Sequence, residues 1–286
     1  MLIDNFGGVR FDGTNATIIG SKQGEFIADR NNIVRVWMDH GAWPYLTTSL
    51  YMQQTGDIEF LNEENTYFKD AQIGRGEHRD NLWSDGEGNM QLSEDDTPYR
   101  GTALEHLLIQ HLTSFYDVGE HNHIRLRGAD WNDGLDMAEK RGESVAFTAL
   151  YGGNLRDLAK DIMTLSKKTG KDTISLAKEI EVLLNADKTV YDSIDEKHKV
   201  LNAYCNAVGH KVSGEKVSVD CTKLCNVLNE MSSWIADHIR KTEWITNKEG
   251  NSWFNGYYDN SGNAVEGDFS SGVRICLLYT SDAADE

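Results

Sequence analysis

Three carboxylates and an indole lie within seven consecutive residues of this sequence, at positions 130–136. The segment runs Asp130-Trp131-Asn132-Asp133-Gly134-Leu135-Asp136. Crowded carboxylates raise one another's pKa values by repulsion, and a flat indole nearby removes water. Such conditions keep a carboxylic acid protonated near neutral pH, so this segment could supply a general acid. The ring of Trp131 could also stack on the apolar face of a pyranose.

The residues of this segment also suit two other interpretations. A calcium-binding loop would place oxygen ligands at alternate positions and a Glu at the twelfth. Asp130 and Asn132 fit that pattern, but Gly134 and Arg141 occupy the fifth and twelfth places, which argues against calcium. A solvated acidic turn that caps the following helix remains open on chemistry alone.

The composition of the chain narrows the class of ligand. The 286 residues contain 28 Lys and Arg against 46 Asp and Glu, a formal charge of −18. That excess opposes binding to nucleic acid, which depends on clustered cations, and it opposes adhesion to anionic membranes. A neutral ligand such as a sugar fits better. Because the sequence has no apolar stretch of ~18 residues and no signal-peptide pattern, we expect a cytoplasmic protein.

The hydrophobic pattern predicts helices that alternate with long loops. Helices are expected from Trp37 to about Thr55, closed by Gly56, and after a T-x-x-E capping box formed by Thr102 and Glu105. Further helices are expected at residues 147–165, 174–184 and 221–235, and a long loop at 70–100. Cys221 and Cys225 are spaced for packing in a core rather than for a zinc site. The pattern favours an all-α fold with short β pieces and active-site loops.

The sequence resembles glycoside hydrolase family 94, a family of glycoside phosphorylases. The resemblance rests on Asp130-Trp131-Asn132-Asp133-Gly134 followed by Arg141-Gly142-Glu143-Ser144-Val145, on Trp37-Met38-Asp39-His40-Gly41-Ala42-Trp43-Pro44 followed by Gln54-Thr55-Gly56-Asp57, and on Leu104-Glu105-His106. Order and rough spacing match across residues 1–275. The resemblance implies that these residues form part of an (α/α)6 barrel of the six-hairpin glycosidase type, incomplete in this chain.

The resemblance also implies roles for particular residues. Asp133 falls on the general acid, Trp131 on a residue that lines the sugar subsite, and Asp130 on the substrate-binding part of the same motif. Asp39 matches an Asp that hydrogen-bonds hydroxyls of the glycosyl unit. An upstream Arg of the family corresponds to Arg35, with Arg30 as a rival.

The implied reaction is inverting phosphorolysis of β-linked gluco-oligosaccharides to α-glucose 1-phosphate. Inorganic phosphate is the co-substrate, so no cofactor or metal is expected. The partners would be an oligosaccharide and phosphate, and a homodimer is considered for the full-length enzyme. Residues 4–10 (Asp-Asn-Phe-Gly-Gly-Val-Arg), Gly128-Ala129 and Leu135-Asp136-Met137 most resemble the 1,2-β-oligoglucan phosphorylases, which makes a β-1,2 linkage the favoured substrate.

Two alternatives to phosphorolysis stay open. An inverting hydrolase on the same barrel would need a second catalytic carboxylate to activate water, for which Glu105 or Asp39 can be nominated. A carbohydrate-binding helical module without catalysis would use its tryptophans as platforms, and the acidic segment would then serve only as a cap.

The last eleven residues, 276–286, resemble the translation of a sequencing-library adapter. Their sequence is Cys-Leu-Leu-Tyr-Thr-Ser-Asp-Ala-Ala-Asp-Glu. We therefore expect the domain to comprise residues 1–275, with the family's β-sandwich and its phosphate-binding His and Thr-Gly pair absent. On that expectation this chain alone is inactive, whereas the full-length enzyme is active.

Overall fold

The computed structural model describes residues 2–28, 36–128 and 138–275. Within them lie seven α-helices, which are α1 (Leu2–Phe6), α2 (Trp43–Thr55), α3 (Ala103–Tyr116), α4 (Val145–Thr169), α5 (Glu181–Leu184), α6 (Ile194–Ala207) and α7 (Cys221–Thr242). Short 3-10 helices lie at Met38–Gly41, Ile58–Asn62, Asp85–Glu87, Lys178–Ile180 and Lys188–Asp192.

The strands are short and pair only in antiparallel fashion. In chain order they are β1 (Ile18–Ile19), β2 (Phe26–Ile27), β3 (Glu64–Thr66), β4 (Gln72–Ile73), β5 (His78–Arg79), β6 (Arg100–Thr102), β7 (Ile124–Arg125), β8 (Glu143–Ser144), β9 (Thr173–Ala177), β10 (Lys216–Asp220), β11 (Trp244–Thr246), β12 (Ser252–Phe254), β13 (Tyr257–Tyr258), β14 (Gly267–Phe269) and β15 (Gly272–Arg274). Among the described residues, three strands form one sheet in the order β13-β8-β7, and the others pair two by two.

Helix α3 lies at the centre of the fold. Its N-cap, Thr102, accepts a 3.1 Å hydrogen bond from the amide of Glu105, as the sequence predicts. The predicted capping box is wrong in its second half, because the Glu105 carboxylate binds other partners instead of returning to Thr102. All fourteen residues of α3 are buried, where the leucine stripe predicts one apolar face. Neighbours therefore cover α3 on every side.

Helix α4 contacts both α2 and α3. His111 of α3 contacts Asn154 of α4, and the Tyr45 hydroxyl of α2 donates to Asp161 further along α4. Helix α7 packs antiparallel on α4, with Gly152 against Ile235 and Cys225 beside Ala159. A Cβ at Gly152 would come within 2.9 Å of Ile235, so glycine permits this close helix packing.

The predicted helix at 174–184 is wrong over its first half. Residues Thr173–Ala177 form β9, which pairs in full register with β10, Lys216–Asp220. Only Glu181–Leu184 is α-helical, after a 3-10 turn. The apolar spacing imitates a helix, but pairing with a distant strand supplies the backbone hydrogen bonds. The sequence analysis predicts no helix at α6, Ile194–Ala207.

A large apolar core joins α1 to α7, and a smaller one lies beside it. Cys221 and Cys225 are buried in the large core as free cysteines, which confirms their predicted packing role. No helix in the described parts of the chain is long and apolar enough to cross a membrane. The (α/α)6 barrel stays a prediction.

Candidate active site

The small apolar core brings two residues of the 37–44 block, Met38 and Ala42, together with residues on both sides of the 129–137 segment. Its buried members come from the turn before α2, from both sides of the 129–137 segment, from α4 and from β13; they are Met38, Ala42, Ile124, Leu126, Ala138, Phe147, Tyr151 and Tyr257. The sheet β13-β8-β7 runs across this core. Residues that lie far apart in sequence therefore pack together in this small core.

Of the site residues that the family resemblance implies, only Asp39 lies in the part of the chain that the structure describes. Asp130, Trp131 and Asp133 fall within residues 129–137, and Arg30 and Arg35 fall within residues 29–35, both outside the described residues. The surroundings of the two segments can nevertheless be described, because residues 36, 128 and 138 border them.

The carboxylate of Asp39 is buried, and only one of its two oxygens has a hydrogen-bond partner among the described residues. Asp39 lies in the 3-10 turn before α2 and is 4% exposed. Its Oδ2 accepts a 2.7 Å hydrogen bond from the indole Nε1 of Trp43. Its Oδ1 has no hydrogen-bond partner among the described residues. A buried acceptor without a donor costs about 1–3 kcal/mol, so this oxygen is placed to accept a hydrogen bond from a ligand.

The turn that carries Asp39 is fixed by helix α4. The Tyr151 hydroxyl donates to the carbonyl of Met38 at 2.6 Å. A Cβ on Gly41 would lie 2.4 Å from that hydroxyl oxygen, so glycine is required for the contact. Trp43 is 41% exposed, and its ring meets Phe147 edge-on with centroids 5.8 Å apart. An indole held in this way offers an apolar surface beside a buried acceptor.

Backbone hydrogen bonds connect the Asp39 turn to the start of the 129–137 segment. Trp37 forms an antiparallel bridge with Arg127, and the amide of Gly128 donates to the carbonyl of Val36 at 2.7 Å. A Cβ on Gly128 would be 3.0 Å from that carbonyl oxygen. Asp39 is therefore close to the point where the chain runs into the segment that contains Asp133.

The far end of the segment, at Ala138, is held through Gly142 by Leu126, the residue that follows β7. Gly142 donates to the carbonyl of Ala138 at 2.7 Å, and Leu126 donates to the carbonyl of Gly142 at 2.9 Å. Leu126 and Ala138 are both buried in the small core. The two residues that border segment 129–137, Gly128 and Ala138, are therefore both held in place by hydrogen bonds to neighbouring backbone.

A group of charged residues that the sequence does not reveal, the Asp117 cluster, lies beside Leu126 and Gly128. It consists of the acidic residues Asp117 and Glu77 and the arginines Arg75, Arg125 and Arg127. Asp117 is the C-cap of α3, and its carboxylate accepts hydrogen bonds from all three guanidinium groups. Burial opposes ionisation of Asp117, but the three adjacent positive charges hold its pKa well below the usual range.

Glu143, which lies in the block at residues 141–145, positions the turn before β7. Its buried carboxylate accepts from the amides of His121 and His123 and contacts His121 Nδ1 at 2.6 Å. Burial raises the pKa of Glu143, although these hydrogen bonds partly offset the rise. His121 stacks on Tyr258, with ring centroids 3.6 Å apart. The Tyr258 hydroxyl donates to Glu243. The role of Glu143 in this region is therefore structural.

Glu105, nominated from sequence as a second catalytic carboxylate, is enclosed by protein. It is fully buried, and its oxygens accept from the hydroxyls of Tyr67 and Tyr99 and from the amide of Ala177. Burial raises its pKa to about 7, and the hydrogen bonds only partly offset that effect. A base that activates water must reach the water, which this geometry does not favour.

Comparison with known proteins points to carbohydrate enzymes. No family model matches the sequence. A solabiose phosphorylase from Paenibacillus borealis is 26% identical over 157 residues, which is 53% of this chain and 17% of that protein. The chain therefore spans less than a fifth of the curated relative that it matches.

Proposed function

We propose that this chain belongs to an inverting glycoside phosphorylase that acts on β-linked gluco-oligosaccharides, with β-1,2 as the favoured linkage. The distant similarity to a solabiose phosphorylase supports a glycoside phosphorylase in general. The observation that carries the proposal further is the buried carboxylate of Asp39, which lies beside the exposed ring of Trp43. Its Oδ1 has no hydrogen-bond partner among the described residues.

A sugar supplies what this arrangement lacks. A pyranose hydroxyl can donate to Asp39 Oδ1, and its apolar face can pack against an indole. Charge-assisted hydrogen bonds to a buried carboxylate are among the stronger polar contacts, at about 1.5–3 kcal/mol each. The negative charge of Asp39 would favour a neutral, hydroxyl-rich ligand over an anion at this position.

In the proposed reaction Asp133 protonates the glycosidic oxygen while inorganic phosphate attacks the anomeric carbon from the opposite face. The bond between the anomeric carbon and the leaving oxygen breaks, and a carbon–oxygen bond to phosphate forms. The proton of Asp133 goes to the leaving hydroxyl, which gives α-glucose 1-phosphate and a shortened glycan. General acid catalysis of this kind contributes about 10²–10⁴-fold. Trp131, Asp130 and Arg35 would contact the substrate.

The test is release of glucose 1-phosphate from β-1,2-gluco-oligosaccharides by the full-length gene product. We expect release only when phosphate is present. Equal release of free sugar in phosphate-free buffer would replace phosphorolysis with hydrolysis. Glycan binding without turnover in either buffer would indicate the non-catalytic carbohydrate-binding module.

A further inference from the structure

The most unusual polar group in the described parts of the chain is the carboxylate of Asp117. It is fully buried, and three arginines converge on it. Arg127 binds it through a fork, with Nε on Oδ2 at 3.0 Å and Nη2 on Oδ1 at 2.8 Å. Arg125 and Arg75 approach through their Nε atoms at 2.7 and 2.6 Å.

Glu77 completes the Asp117 cluster on its outer side. Its Oε1 lies 2.7 Å from Nη1 of Arg127 and 3.1 Å from Nη1 of Arg125. Three positive charges therefore meet two negative ones in a largely buried place. Buried ionic clusters often stabilise a fold no better than apolar packing would, so overall stability is a poor explanation for this one. Fixing one geometry is the better explanation.

The backbone of Arg127 shows which geometry is fixed. Its φ angle is +57°, in the left-handed region that residues with a Cβ rarely adopt. The same residue bridges to Trp37, and the next residue, Gly128, donates to Val36. The side chain of Arg127 is thus held by Asp117 at the end of α3, while its backbone is held against Trp37, two residues before Asp39.

We propose that Asp117 is a positioning residue: by binding the fork of Arg127 it holds the left-handed turn from which the chain runs into the segment with the proposed general acid. Asp117 touches no substrate in this proposal and acts through Arg127. The proposal rests on the proposed function for its catalytic consequence, but its structural part concerns only the contacts among residues 36, 37, 117, 127 and 128.

The structural part is tested by hydrogen exchange on the 286-residue chain, in peptides that span residues 36–42 and 125–142. Asp117→Asn should speed exchange there by about tenfold, because local opening becomes easier. The matched control is Asp70→Asn, which breaks another buried carboxylate–arginine pair, that of Asp70 with Arg10 at 2.6 Å. If Asp70→Asn loosens these peptides as much as Asp117→Asn does, or if neither variant does, the positioning role is rejected.

The catalytic part is tested with a pair of variants at Arg127 in the full-length gene product. Both Arg127→Ala and Arg127→Gly remove the fork, but only glycine adopts a positive φ without strain. We expect kcat to fall about 100-fold for Arg127→Ala and less for Arg127→Gly, with KM little changed, because a misplaced acid weakens the transition state. Equal losses in both variants, or a change confined to KM, would overturn the proposal.

These arms also separate the two levels of inference. If the wild-type protein shows no phosphorolysis, the proposed function fails, and the exchange comparison still decides whether Asp117 positions the turn. Because Asp117→Asn leaves three buried cations with less compensation, that variant could unfold. Arg127→Lys, which keeps the charge but loses the fork, then serves for the exchange measurement with the same expected direction.

Discussion

The amide of Gly128 donates a 2.7 Å hydrogen bond to the carbonyl of Val36, which lies 92 positions earlier in the sequence. Val36 lies three residues before Asp39, and Gly128 lies five residues before Asp133. This one contact therefore links the turn that carries Asp39 to the segment proposed to carry the general acid. The Trp37–Arg127 bridge beside it strengthens the link.

The first prediction concerns the proposed acid. Asp133→Asn should lower kcat by about 10²–10⁴-fold, because asparagine keeps the shape of the side chain but has no acidic proton to give. The measurement is glucose 1-phosphate release at saturating phosphate, with circular dichroism to show an intact fold. If Asp130→Asn were the inactive variant and Asp133→Asn turned over normally, the acid would be assigned to the wrong residue.

The second prediction concerns Asp39. In Asp39→Asn the amide oxygen can still accept from Trp43, but an N–H group replaces the acceptor at the free position. We expect kcat/KM to fall about 10- to 150-fold, the worth of one hydrogen bond to a charged group. The free energy of unfolding should change by no more than about 1 kcal/mol, since Asp39 Oδ1 has no partner among the described residues. Unchanged kcat/KM would remove Asp39 from the site.

The third prediction concerns pH and Glu105. Its pKa is raised by burial from 4.5 to about 7, so the folded protein binds a proton that the unfolded chain has released. Stability from this group is therefore full below pH 4.5 and is lost as pH rises towards 7, by up to about 3 kcal/mol. Glu105→Gln should remove that slope.

The measurement for Glu105 is the urea midpoint from pH 4.5 to 8, taken as the difference between variant and wild type so that other titrating groups cancel. The difference should grow in favour of the variant as pH rises. Phosphorolysis should persist in Glu105→Gln, because the carboxylate is enclosed by Tyr67, Tyr99 and Ala177. A flat stability difference would contradict the raised pKa, and loss of activity would revive Glu105 as a catalytic group.

Local sequence signals predicted the elements whose causes are local. Helix α2 ends at Gly56, whose φ is +72°, and α3 begins at the Thr102 cap. Helix α7 follows its apolar stripe from Cys221 to Ile235. Strand β9 has the apolar spacing of a helix, and its hydrogen bonds come from β10, about forty residues away, which periodicity cannot reveal.

The candidate site likewise contains residues that the sequence could predict and residues that it could not. Asp39 stands in a recognisable block, which makes it a candidate from the sequence alone. The importance of Asp117 could not be predicted, because its partners come from two separate parts of the chain, with Arg75 forty-two residues before it in sequence and Arg125 and Arg127 after it. The alternation of Arg125 and Arg127 was the available signal, but their shared anion is visible only once α3 ends beside β7.

The last prediction concerns residues 276–286, which resemble an adapter translation and lie outside the described residues. Among the residues that the structure describes, the apolar cores contain none beyond Val265, and β15, which precedes this tail, is exposed throughout. Deleting 276–286 should therefore change the free energy of unfolding by no more than about 0.5 kcal/mol, the usual range for a surface change. Urea unfolding of both chains at one pH provides the measurement. A loss of stability above about 1 kcal/mol would show that the tail packs on the domain and is not an adapter product.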